Sequence, residues 1–328
     1  GDDNDHFDRP VHVTFDQDGN LFVTDWLNHR IQIFDTNLIY SATLGGTHGS
    51  GDYQLRDPWQ VAVGPDGSIY VADSSNHRVQ IFNRSLVYQA TLGQTGISGS
   101  NNATFDGPQG IAIDSAGTIY VSDMMNHRVQ VFDSSRTYVA TIGTTDTPYA
   151  TDSQHYNSPQ GIGVDTAGNV YFTEWMGYRL VKLGPDGLLD WTIGEPGRYG
   201  TANDRFGQFW EGPLSVAVDG QGNTYVADTP NHRIQKCSAD GAGCEVFAGV
   251  TGEYGIDNDH FDGPASVAVD GAGTIYVADS ENHRVQKCIA AGVCNTLAGV
   301  TGVSGDDDEH FNFPLGVAVD GAGYVYVA

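Results

Sequence analysis

Short runs of apolar residues, three to five long, recur along this chain and are cut by Gly, Asn and Asp every few positions. In one stretch Val267-Ala268-Val269 leads into the turn Gly271-Ala272-Gly273. Ile275-Tyr276-Val277-Ala278 comes next, then the turn Ser280-Glu281-Asn282, then Arg284-Val285-Gln286-Lys287, and after a further turn Asn295-Thr296-Leu297-Ala298. β-Branched and aromatic residues are rich in the second and third runs, and the residues between runs are turn formers. The pattern predicts four short antiparallel strands joined by tight turns. Long stretches rich in Ala, Leu, Glu and Lys, which a helical bundle needs, do not occur.

The four-run unit repeats. Anchor prolines stand at Pro10, Pro58, Pro108, Pro159, Pro213, Pro264 and Pro314. Fifteen residues after each of the first six lies an acid: Asp25, Asp73, Asp123, Glu174, Asp228 and Asp279. Five of these acids run into Asn-His-Arg, at 28–30, 76–78, 126–128, 231–233 and 282–284. Four short strands in about 50 residues, repeated six times, predict an all-β propeller of four-stranded antiparallel blades. The expected organisation is a single domain over 1–328, with repeats starting near 10, 58, 108, 159, 213 and 264 and a partial repeat over 314–328.

These residues resemble the NHL-repeat β-propeller family, named for an Asn-His-Leu triplet. Asn76-His77 and its equivalents keep the first two letters, with Arg78 in place of the leucine, and the resemblance runs from Pro10 to Ala328. It implies a propeller, most often six-bladed, whose relatives serve mainly as binding platforms; a minority are secreted metal-dependent enzymes. Residues 10–313 supply six complete repeats, and 314–328 add the first two strands of a seventh. Residues 1–8 (GDDNDHFD) match 255–262 (GIDNDHFD), a loop between repeats. Six blades with an added start of a further unit, seven blades lacking two strands, and strands donated by another chain are all compatible with this remainder. Six is the expected count, and an unpaired strand edge would favour self-association.

Identical spacing in five repeats argues that the triplet is structural rather than a ring of metal ligands. Arg78 is expected to bridge to Asp73 and Asn76 to supply the turn conformation; Asp123 with Arg128, Asp228 with Arg233 and Asp279 with Arg284 repeat the arrangement. Propeller connectivity puts the fourth-to-first loops and the second-to-third turns on one face, and the tight Gly turns on the other. The first face is therefore expected to be the acidic one and the place for a site.

Charge and cysteines narrow the function. With 41 acids against 15 Lys and Arg, the net charge is −26, which disfavours nucleic acid. No apolar run is long enough to insert into a membrane. Asp257, Asp259 and Asp262, with Asp306, Asp307 and Asp308, are candidate calcium ligands, although no EF-hand order is present and a solvated acidic rim is the plainer reading. No other cofactor is expected. Cys237 and Cys244, and Cys288 and Cys294, each bracket a third-to-fourth hairpin, so two local disulfides are expected, and with them an extracellular or cell-surface location. Asn83 and Asn102 head sequons that permit glycosylation.

The fourth repeat departs from the pattern, reading Glu174-Trp175-Met176-Gly177-Tyr178-Arg179. The loop after it carries Tyr199, Phe206, Phe209 and Trp210. Together with Trp26 and Trp59 in earlier repeats, Trp175, Tyr178, Tyr199, Phe209 and Trp210 are candidate ligand contacts, for stacking on sugars or anchoring a protein; packing between blades is the competing reading. No nucleophile elbow, HExxH or P-loop occurs, and only His12, His48 and His155 stand outside the repeats as idiosyncratic histidines. The expectation is a secreted or cell-surface, non-enzymatic scaffold binding a protein or glycan through its acidic loop face. A subunit of an extracellular array or filament is the first alternative and a metal-dependent lyase or hydrolase the second.

Overall fold

The computed structural model describes residues 4, 6–144, 155–208, 212–289, 291–305, 307 and 309–328. Six four-stranded antiparallel sheets form, each in simple sequence order. Blade 1 comprises β1 (Pro10–Phe15), β2 (Leu21–Asp25), β3 (Arg30–Phe34) and β4 (Tyr40–Gly45). Blade 2 comprises β5 (Pro58–Val63), β6 (Ile69–Asp73), β7 (Arg78–Phe82) and β8 (Tyr88–Gly93), and blade 3 β9 (Pro108–Ile113), β10 (Ile119–Asp123), β11 (Arg128–Phe132) and β12 (Tyr138–Ile142). Blade 4 has β13 (Pro159–Val164), β14 (Val170–Glu174), β15 (Arg179–Leu183) and β16 (Leu189–Ile193). Blade 5 has β17 (Ser215–Val218), β18 (Thr224–Asp228), β19 (Arg233–Cys237) and β20 (Cys244–Gly249), and blade 6 β21 (Pro264–Val269), β22 (Ile275–Asp279), β23 (Arg284–Cys288) and β24 (Cys294–Ala298). The remainder, β25 (Val317–Val319) and β26 (Val325–Val327), is a separate two-stranded sheet.

The architecture is the expected propeller of six four-stranded blades. The chain divides into two compact units, one holding β1–β13 and the other β14–β26, where the repeat pattern alone reads as a single 1–328 domain. Within the first unit the leading strands β1, β5, β9 and β13 pack each on the next; within the second, β17 packs on β21 and β21 on β25. The half-blade is thus seated on blade 6, with Val317, Val319, Val325 and Val327 against Ala268, Tyr276, Ala278 and Val285.

Second strands such as Ile69–Asp73 and Ile275–Asp279 are buried along their whole length, because both faces of the sheet are covered by neighbouring blades. Leading strands are also tied by side chains two residues after the anchor proline position. Gln60 Oε1 accepts the Ile111 N–H at 2.9 Å, Ser215 Oγ accepts that of Val267 and Ser266 Oγ that of Val317.

Both expected disulfides form, Cys237–Cys244 and Cys288–Cys294. Each joins the last residue of a third strand to its register partner on the fourth. In blades 1 to 3 the same register position is an aromatic pair: Phe34 with Tyr40, Phe82 with Tyr88 and Phe132 with Tyr138, at ring-centroid separations of 6.1–6.2 Å. The disulfide and the aromatic pair are two solutions to one problem, holding the outermost strand to the blade. Replacing Cys288 and Cys294 by Ser is therefore expected to cost about 2–3 kcal/mol, from the loop-closure entropy restored to the unfolded chain and the polar groups left in a buried position. The C288F/C294Y pair should recover most of that loss in thermal or urea denaturation. Equal destabilisation of both variants would refute the equivalence.

Candidate binding face

Every motif turn is built around a buried acid–arginine pair. Asp73 ends β6, a one-turn 3-10 helix spans Ser74–Asn76, and Arg78 opens β7. Asp73 and Arg78 are opposite each other in the ladder, and Arg78 Nε donates to Asp73 Oδ2 at 2.6 Å. The rest of the guanidinium reaches across the preceding loop, donating to the carbonyls of Ser50, Gly51 and Gln54 at 2.8–2.9 Å. Asn76 donates to Asp73 Oδ2 and to the Gly49 carbonyl, and Gln80 donates to the Gln54 carbonyl.

The repeats reproduce this cage. Arg128 bonds Asp123 and the carbonyls of Ser100, Asn101 and Thr104; Arg233 bonds Asp228 and those of Thr201, Ala202 and Arg205; Arg284 bonds Asp279 and those of Ile256, Asp257 and His260. All four guanidinium groups are at most 1% exposed. Burial pushes the Asp123, Asp228 and Asp279 carboxyls up from the usual range even with an arginine alongside, the signature of charges kept out of water. A long loop has few internal hydrogen bonds, and here the missing ones come from one buried fork of donors, so loop tips vary on a fixed frame.

One expectation about this turn is corrected. The residue in the left-handed conformation is His77 (φ 55°), not Asn76, whose side chain serves as a donor inside the cage. The equivalent histidines His29, His127, His232 and His283 have φ between 52° and 58°.

Blade 4 keeps the pair but alters its surroundings. Glu174 bonds Arg179, and the longer side chain fills the space the motif asparagine occupies elsewhere; a Cβ at Gly177 would lie 2.6 Å from Glu174 Oε1. Asp-to-Glu and Asn-to-Gly are therefore one coupled change. Tyr178 takes the left-handed position of the histidine, is buried, and meets Tyr199 edge-on at 5.6 Å, while Tyr199 is 49% exposed. Trp175 is half-buried, with the backbone at Gly212 pressed close to its carbonyl. In the first unit Trp26 and Trp59 meet edge-on at 5.8 Å, both half-buried. Phe206 is core rather than surface, and Phe209 and Trp210 lie outside the described residues. Four of the described aromatic candidates thus pair as Trp26–Trp59 and Tyr178–Tyr199, and Tyr199 offers the most open ring.

The acidity is less one-sided than the repeat pattern suggests. Asp16, Asp114, Asp219, Asp270 and Asp320 sit in first-to-second turns on the opposite side of the blades, and each accepts two backbone N–H groups through Oδ1. Asp35 does so in a third-to-fourth turn, where the Ile39 and Asn37 amides hold its carboxyl below the usual range. Tight turns need a side-chain acceptor, and aspartate supplies it there with a charge attached. Asn83 fills the same role in blade 2, accepting from Ser85 and Val87, so this sequon asparagine is part of a turn, whereas Asn102 is exposed at a loop tip.

Among the described residues the calcium candidates form no group of three with other ligating side chains. Asp257 Oδ1 is 2.6 Å from His260 Nδ1, Asp307 stands in the same relation to His310, and Asp262 faces His232 at 3.4 Å; Asp306 and Asp308 lie outside the described residues. His48 packs against the His29 ring and His12 lies 3.2 Å from the Gln60 amide nitrogen. Among the described residues, no group of three His, Cys, Asp or Glu is arranged to hold a metal ion.

Comparison with known proteins agrees with this frame. The NHL repeat model matches residues 7–34, 55–82, 105–132, 211–237 and 261–288, skipping the divergent fourth repeat. The human NHL repeat-containing protein 3 is 30% identical over 144 residues, 43% of this chain and 39% of that protein. Its mouse counterpart is 33% identical over 113 residues, 34% of this chain and 31% of that protein. The chain therefore aligns with less than half the length of these relatives. Among solved structures, a streptogramin B lyase superposes with a TM-score of 0.70 at 13% identity, covering 97% of this chain and 90% of that one. Hydrazine synthase of Kuenenia stuttgartiensis gives 0.69 at 16% identity, covering 97% and 92%. At such identities the likeness is one of fold. Five matched NHL repeats on six four-stranded antiparallel blades make this chain an NHL-repeat β-propeller.

Proposed function

We propose that the chain is a protein-binding scaffold, non-enzymatic and displayed at a cell surface or secreted, whose partner is engaged by the fourth-to-first loops and the motif turns beside them. The observation that carries the reading is the arginine cage. Buried guanidinium groups fix the loop backbone while leaving tips such as Tyr53, Tyr199, Tyr254 and Ile256, each about half or more exposed, free to differ from blade to blade. The two disulfides agree with an oxidising compartment.

The test is to pan a displayed random-peptide library against the full chain and against its Y199A/Y254A/I256A variant, with unchanged thermal unfolding as the control. Peptides selected on the parent should bind the variant at least roughly tenfold more weakly, the loss expected when anchoring aromatic side chains are truncated. Binders indifferent to all three substitutions would place recognition elsewhere. A response on a sugar array with no peptide enrichment would turn the reading towards glycans.

A further inference from the structure

The histidine of each motif triplet has no part in the cage and makes a contact of its own. Its Nδ1 accepts the backbone N–H of the residue preceding the next anchor proline: His29 from Asp57, His77 from Gly107, His127 from Ser158, His232 from Gly263 and His283 from Phe313, all at 3.1–3.2 Å. Five repetitions of one geometry across two units mark a built contact. We infer that these histidines are proton-operated clasps that fix each loop to the blade before it, so that mild acid loosens the loop face. The consequence for binding rests on the function proposed above; the clasp itself does not.

The chemistry follows from the acceptor role. Only a neutral imidazole with its proton on Nε2 can accept at Nδ1. A proton added at Nδ1 turns acceptor into donor, and two N–H groups then point at each other. A new partner is near for three of the rings: Asp57 lies 3.5 Å from His29 Nδ1, Asp106 3.2 Å from that of His77 and Asp262 3.4 Å from that of His232. These carboxylates belong to the same loops as the amides. Acid thus exchanges a backbone amide for a carboxylate already within 3.2–3.5 Å, and the amide next to the anchor proline is released from the ring.

The loop is under tension where the clasp holds it. Asp57, Ser158 and Phe313 have φ of 52–55°, the left-handed region, directly before a proline, and glycine stands at the same point in two other loops, as Gly107 and Gly263. Strain of this kind persists while the surroundings hold it and relaxes once they let go.

Charged and aromatic neighbours set the window. His29 faces Asp57 and Asp73, which favour protonation, and His48 and Arg56, which oppose it; burial is the largest influence and holds it below the ordinary histidine value. His77 faces Asp106, His232 faces Asp262 and the Tyr254 ring, and His283 the Phe313 ring. The clasp is complete while the rings are neutral and is lost where a proton is added at Nδ1.

Hydrogen exchange on the full chain without any partner tests this. Corrected for intrinsic rate, protection of the Gly107 amide should fall roughly tenfold between pH 7.5 and 5.5, while the Gly117 amide, bonded to the Asp114 carbonyl in a turn without histidine, stays constant. His77→Asn keeps a residue that accepts the left-handed conformation but does not titrate, and should flatten the profile at Gly107 only. Asp106→Asn removes the alternative acceptor and should lower the transition pH at that site. Imidazole NMR at pH 7.5 should show the proton on Nε2. A ring protonated at Nδ1 at that pH, or a Gly107 protection that ignores pH, overturns the clasp while leaving the binding face untouched. Conversely, a chain that binds no peptide can still show the exchange profile.

Discussion

Arg128→Ala is expected to lower stability by about 3–5 kcal/mol, the cost of removing one partner from a buried ion pair. Two losses combine. Asp123, 0% exposed, keeps its bonds from Asn126 and the Asp106 amide but loses its counter-charge. The carbonyls of Ser100 and Asn101 lose the guanidinium donor, and that of Thr104 keeps only Gln130. The loop between β8 and β9 is then held by the Asn126 and Gln130 side chains, the Asp106 amide on Asp123 and the His77 contact to Gly107. The deficit should depend on pH. Burial already raises the Asp123 carboxyl above its unfolded value, and without arginine it rises further. A carboxyl raised on folding favours the folded state when protonated, so the variant's deficit should be greatest at neutral pH and shrink as pH falls toward the ordinary carboxylate range. Urea denaturation of parent and variant at pH 7.5 and 5 checks both the size and the sign. A loss under about 1 kcal/mol, or one that grows on acidification, would contradict the cage.

A second large effect is expected at His12. It sits two residues after the first anchor proline, beside Gln60 on the leading strand of the next blade, and its Nδ1 is buried without a hydrogen-bond partner among the described residues. Burial lowers its pKa from 6.5 to about 4. Because the folded value is depressed, the unfolded chain takes up the proton first. The stability this residue contributes is complete above pH 6.5 and is lost as pH falls from there to about 4, amounting to about 3 kcal/mol. His12→Gln installs the residue that blade 2 uses at the same register, without the titration. The parent should therefore lose about 3 kcal/mol more than the variant between pH 7.5 and 4, read as the difference between two pH–stability curves. Parallel curves would show that His12 is not the acid-sensitive group. The motif histidines are common to both proteins, so the difference isolates the inner-strand residue.

The strands were legible because their signals are local. Ile275-Tyr276-Val277 alternates, Gly273 and Asp270 turn, and the period of about 50 residues repeats the message until its reading is secure. The two disulfides were legible for the same reason, since each pair of thiols brackets a single hairpin. The bridge from Asp73 to Arg78 spans five residues across one turn and could also be read directly. What the arginine does beyond that turn could not, because its carbonyl partners lie 24 to 28 positions away in a loop whose sequence varies between repeats. The histidine is a similar case. Its partner is a backbone amide about 30 residues on, and an amide leaves no mark in the residue pattern.

The aromatic candidates show the limit from the other side. Tyr178 and Tyr199 both stand out in the sequence at the divergent fourth repeat and its following loop, but only packing decides that the first is buried and the second open. The acidic charge is less one-sided than the repeat pattern suggests, for a physical reason. Aspartates such as Asp114 and Asp270 are spent on turn amides, and side-chain composition does not distinguish a turn acceptor from a solvated charge.

By itself, the sequence determined the strand units, their number, the pairing of the cysteines and the acid–arginine contact within each turn. All of these depend on residues close in the chain, where geometry leaves few choices. The tertiary structure alone decided which backbone groups each arginine and histidine holds. It decided as well that a disulfide in two blades stands where an aromatic pair stands in three others, and which aromatic rings remain open to a partner. These are contacts between segments tens of residues apart, and they exist only once the blades are stacked.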